Sequence, residues 1–136
     1  MSSGRCVFVQ LDSSGVAGFL TLTQTAESTS TMIHGDLRGL AAGKSHTVKI
    51  HIYGDLSNDD GGVIVVGTGH VSGAFGSSSS FAVEADDDGR ASVKVETSDI
   101  KLLGAASVIG RSMIIYGGED GTTKVAAGVI GIAPLS

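Results

Sequence analysis

Alternation with a period of two runs through most of the chain, and clusters of glycine, aspartate and serine interrupt it at short intervals. Successive side chains of a strand point to opposite faces, so this pattern specifies half-buried strands and not helices. Eight strands are predicted, near residues 4–11, 15–24, 29–37, 45–53, 80–86, 90–97, 111–116 and 125–133, and no ten-residue stretch offers a helical apolar stripe. The 21 glycines against a single proline suit many tight turns, because glycine alone enters positive φ at no steric cost. The expected fold class is all-β, a sandwich or flattened barrel. At 136 residues it forms one domain, residues 1–136, that can bury a core without help from disulfides or metals.

Charge narrows the partners. Nine Lys and Arg against fourteen Asp and Glu leave a net charge of −5, and no basic run is present to neutralise phosphates, so nucleic acid is not an expected partner. The apolar stretches are short and the first residues lack the apolar core of a secretion signal; the chain is expected to be cytoplasmic, with no membrane contact. Cys6 is the only cysteine and reads as a small buried hydrophobe within Cys6-Val7-Phe8-Val9.

Two stretches break the rhythm. Residues 55–80 are rich in glycine and serine, with a possible extra strand at Val63-Ile64-Val65-Val66, and residues 98–110 form a second crossing segment. Asp86-Asp87-Asp88-Gly89 suggests a calcium loop at first sight, yet it lacks the further spaced oxygen ligands and the distal glutamate, and reads as a hairpin tip.

The carboxyl-terminal run Ala127-Gly128-Val129-Ile130-Gly131-Ile132-Ala133 resembles the last strand of copper/zinc superoxide dismutases, and His46-Thr47-Val48-Lys49-Ile50-His51-Ile52-Tyr53-Gly54-Asp55 is similar to the copper strand of that family. Gly39-Leu40 and Ile109-Gly110-Arg111-Ser112-Met113-Ile114-Ile115 match in the same order, so the resemblance covers nearly the whole chain. It implies an eight-stranded antiparallel Greek-key β-barrel, in agreement with the strand count.

The ligand set that the resemblance implies is largely absent. The family's His-x-His pair on the copper strand reads Lys49-Ile50-His51 here, with Val48 and Ile50 toward the core and Lys49 and His51 outward. A protonated lysine has no lone pair to ligate with and repels a cation; Lys49 stands either as a solvated residue or in the vacated metal position. Tyr116 replaces the last copper ligand, and a neutral phenol is a poor one. Lys124 stands where the family has a guiding arginine, keeping the charge without the planar fork. His46 matches a histidine of the hydrogen-bond network beneath the metal. His70 is a candidate for the bridging imidazole, or else a loop residue. Residues 71–81 contain no His, Cys or acid, so zinc of the family type is not expected. One family disulfide position is Ala127, and its partner is also absent.

The resemblance also implies a tight apolar dimer contact, at Tyr53, Gly54, Ile109, Gly110, Gly128, Val129, Gly131 and Ile132. Ligand-deficient family members occur among large DNA viruses, and one domain of the dismutase copper chaperone shares the fold. The expected function is therefore a catalytically inactive, dimerising binding module or decoy, cytoplasmic or associated with a virion. It would pair with itself, with a superoxide dismutase, or with the copper chaperone, and no cofactor is expected. The alternative is a copper-binding protein with residual dismutase activity on a reduced set of His51 and His70, with His46 or Tyr116.

Overall fold

The computed structural model describes residues 2–10, 15–26, 28–51, 80–104, 106–117 and 123–134. Nine strands form among them: β1 (Ser2–Val7), β2 (Val9–Gln10), β3 (Ala17–Gln24), β4 (Thr31–Arg38), β5 (Ser45–His51), β6 (Ser80–Glu84), β7 (Ala91–Thr97), β8 (Ser112–Gly117) and β9 (Thr123–Ile132). Eight of them pair in the order β6-β5-β8-β9-β1-β3-β4-β7, with the short β2 on β9, and every pair is antiparallel. The two ends of this path, β6 and β7, are successive in the chain and joined by residues 85–90, so the sheet curls into a nearly closed Greek-key barrel. The eight expected strands all form, within a few residues of their predicted ends. The possible strand at Val63–Val66 lies outside the described residues. No helix among the described residues is long and apolar enough to cross a membrane.

Alternation delivers the core. Leu20, Leu22, Ile33 and Leu37 from one half of the path meet Val48, Ile50, Met113, Ile115 and Ile130 from the other, all of them buried. Cys6 joins them, and burial pushes its thiol up to about 12, which makes it a packing group and not a nucleophile. The crossing segment contributes Ile100, Leu102 and Val108. It is anchored by buried Gln24, whose Oε1 accepts from the backbone N–H groups of Leu102 at 2.7 Å and Leu103 at 3.0 Å, while its Nε2 donates to the Thr29 carbonyl at 2.9 Å.

The Asp86–Gly89 stretch is a hairpin tip, as expected. Asp86 Oδ1 accepts from the N–H groups of Asp88 and Arg90, and these bonds hold its carboxyl below the usual carboxylate range. Leu40 is buried at the same end of the barrel and donates its N–H to the Gly89 carbonyl at 3.0 Å. Gly39, beside it, has φ +77°, and a Cβ there would lie 2.3 Å from the Gly15 carbonyl oxygen; Gly110 has φ +85° with open space around it. The two positions separate conformational strain from collision. Gly110→Ala is expected to cost about 1–2 kcal/mol, the penalty for a left-handed residue alone, and Gly39→Ala roughly 1–3 kcal/mol more, both read from urea unfolding.

Candidate functional site

The candidate site lies on the outer face of β5, β8 and β9. The β5–β8 register sets Thr47 opposite Tyr116, Lys49 opposite Ile114 and His51 opposite Ser112, so Lys49, His51 and Tyr116 share one face. Tyr116 starts four residues along the strand from His51's partner, yet its hydroxyl reaches His51 Nε2 at 2.9 Å. The phenol must therefore lie along the sheet, beneath Lys49. Its ring is inclined 20° to the imidazole with centroids 6.1 Å apart, and the Lys49 ammonium sits 4.9 Å from the phenol centroid. His51 is 1% exposed and Tyr116 7%, whereas Lys49 is exposed. Tyr116 packs with Ile114 and Ala127 in a small apolar cluster on this side of the sheet.

Lys124 reaches the same face through an irregularity. The β8–β9 register shifts between Ile115 and Tyr116, from Ile115 opposite Ala126 to Tyr116 opposite Lys124, so Val125 is the additional residue of a bulge and turns inward. Tyr116 is thus flanked by Lys49 on the β5 side and Lys124 on the β9 side. Burial raises the Tyr116 phenol above its ordinary value and lowers the Lys124 ammonium below its own.

The other sequence candidates separate. His46 is buried on the opposite, core-facing side of β5, because five positions separate it from His51. Its Nε2 accepts from the Ala41 N–H at 3.3 Å, its Nδ1 finds no partner among the described residues, and its ring packs against Gly117, where a Cβ would lie 2.8 Å from its Cδ2. The structure therefore does not bring His46 to the face of His51. His70, Tyr53 and Gly54 lie outside the described residues.

A copper ion needs several neutral nitrogen donors converging on one point. Among the described residues no group of three or more His, Cys, Asp or Glu side chains converges. On the outer face stand one imidazole already hydrogen-bonded to a phenol, and an ammonium without a lone pair. The described residues do not fit copper.

A second feature lies across β3, β1 and β9. Ile109 is half-buried and Gly110 exposed, and their turn is held to β9 by Gly110 N–H to Ile130 O and Ile130 N–H to Arg111 O, each 2.8 Å. Ile132 is 85% exposed and borders with Ile109 a hollow of about 400 Å³. Val129 is 41% exposed, Gly131 is half-buried, and Gly128 is buried, a Cβ there lying 2.4 Å from the Val7 carbonyl oxygen. The β1–β9 and β2–β9 registers are continuous from Cys6↔Ile130 to Val9↔Ala127, which sets Val7 opposite Val129. Val7 also faces Phe19, so Phe19, Val7 and Val129 form one exposed apolar row. Val7 and Phe19 were not singled out from the sequence; their outward position in the alternation was the available signal.

Residues 16–132 match the family described as Copper/zinc superoxide dismutase (SODC). The chain belongs to the copper/zinc superoxide dismutase family. A "Superoxide dismutase [Cu-Zn]" of Cordyceps militaris is 30% identical over 127 residues, covering 88% of this chain and 82% of that protein. One of Onchocerca volvulus is 31% identical over 125 residues, covering 80% and 73%, and one of Botryotinia fuckeliana is 30% identical over 144 residues, covering 88% and 92%.

The His51–Tyr116 bond gives the site a measurable signature. Tyr116→Phe removes the partner of a buried imidazole nitrogen and is expected to cost about 1–3 kcal/mol in urea unfolding. The raised Tyr116 pKa contributes stability that is complete below the ordinary phenol value of 10.0 and is lost as pH rises through the raised value. Lys124 acts in the other sense: its contribution is present above the ordinary lysine value of 10.5 and is lost as pH falls through the lowered one. Alkaline absorbance titration should show a late-ionising tyrosine in the parent that is missing in Tyr116→Phe.

Proposed function

We propose that this member of the dismutase family is a catalytically inactive binding module that acts by self-association through its exposed apolar face. The observation that carries the loss of catalysis is the 2.9 Å bond between His51 Nε2 and the Tyr116 hydroxyl, beneath the Lys49 ammonium. It takes up the imidazole on which a copper centre of this face would depend. Association is supported by Phe19, Val7 and Val129, which are exposed at 47%, 62% and 41% in one row across β3, β1 and β9, and by Ile132, 85% exposed further along β9 where it borders the hollow with Ile109. Isolated exposed hydrophobes need no explanation, but a contiguous row does. Its antiparallel strands present a row that can meet a copy of itself about a two-fold axis, as an isologous dimer. A dismutase or its copper chaperone would use the same face as a decoy's target, because each offers a surface of the same fold.

Sedimentation of the purified chain at micromolar concentration is expected to give the dimer mass. Ile132→Lys is expected to weaken association by about 100-fold while unfolding stability stays within about 0.5 kcal/mol, since the side chain is nearly fully exposed in the single chain. A parent that sediments as a monomer rejects the association. Elemental analysis after incubation with copper and zinc, beside a superoxide-consumption assay, tests the other half: stoichiometric copper with activity rejects the inactive reading.

A further inference from the structure

We infer that Lys49 and Tyr116 together close the dismutase face against copper and are the reason it stays metal-free, an inference that rests on the inactive reading above. Two features of the face support it. First, His51 Nε2 is held by the Tyr116 hydroxyl at 2.9 Å, so a metal would have to displace a buried hydrogen bond to reach it. Second, the Lys49 ammonium lies over the phenol ring 4.9 Å from its centroid, which sets a positive charge beside the position a divalent ion would occupy.

The backbone beneath these side chains needs no change to hold an ion. Lys49 and His51 are two positions apart on one face of β5, and the side chain at position 116 already reaches His51 from β8. Imidazoles at 49 and 116 would then converge on the one at 51. Main-chain pairing at all three positions is set by the buried Val48, Ile50, Met113 and Ile115, none of which faces the site.

The test is copper(II) binding in the presence of a competing chelator, with electron paramagnetic resonance to count nitrogen ligands, on the full chain and on Lys49→His/Tyr116→His. The double variant is expected to bind one copper at least about 100-fold more tightly than the parent, with several imidazole nitrogens in the spectrum, and to lose it when His51→Ala is added. Lys49→His alone changes an exposed position and is expected to gain about tenfold, which keeps the inference testable if the double variant does not fold. A folded double variant, or a folded Lys49→His, that binds copper no more tightly than the parent overturns the closure and leaves the metal-free reading standing. A parent that takes up one equivalent of copper through His51, lost in His51→Ala, overturns both.

Discussion

The antiparallel pairing of β5 with β8 decides which side chains of this protein can meet. Val48 and Ile50 of one strand and Met113 and Ile115 of the other are buried without remainder, and they fix the register from the inside. A slip of one residue would bring Lys49 and His51 into the core and turn Val48 and Ile50 out to the opposite face, which the burial of apolar surface forbids. Lys49, His51 and Tyr116 are therefore held together by residues that never touch them. Which side chains stand on the outer face is thus independent of the core that sets the register.

Cys6 is the only cysteine, so no internal disulfide braces the chain, and the described part of the crossing segment is ordered by local polar bonds. Gln24 satisfies two backbone donors of the crossing segment and one carbonyl near β3, and the 108–111 turn exchanges bonds with Ile130 on both sides. The turn in question positions Ile109 and Gly110 beside β9. The apolar row is likewise set by main-chain pairing of β9 with β1 and of β1 with β3.

Strands were readable in the sequence because the half-buried barrel imposes its period on most segments, and the outward parity of Lys49 and His51 followed from alternation. Met113-Ile114-Ile115-Tyr116, by contrast, is apolar throughout, and only the β5–β8 register assigns Tyr116 its face. What alternation cannot supply is the register between distant strands. Val7, Phe19 and Val129 are each an unremarkable outward apolar residue within their own strand; only the pairing of β1 with both β3 and β9 makes them one row. The bulge at Val125 is hidden for a related reason, since Lys124-Val125-Ala126-Ala127 offers two small apolar residues in succession and reads equally well with either one inward. Nor does parity foretell that Tyr116 lies lengthwise to His51, because the direction in which a ring leans along a strand is set by its neighbours on the face.

The site and the apolar row adjoin on the outer face of the barrel, where pairing runs without a break from His51 to Ser112, Val129, Val7 and Phe19. The first is a matter of short-range donors: one hydrogen bond, one cation over a ring and a small apolar cluster. The second is a matter of exposed area. Perturbations add independently only where they have no common neighbour, and buried Ser112 pairs with His51 on one side and Val129 on the other. A change at the His51–Tyr116 pair is therefore coupled to the apolar row through β8.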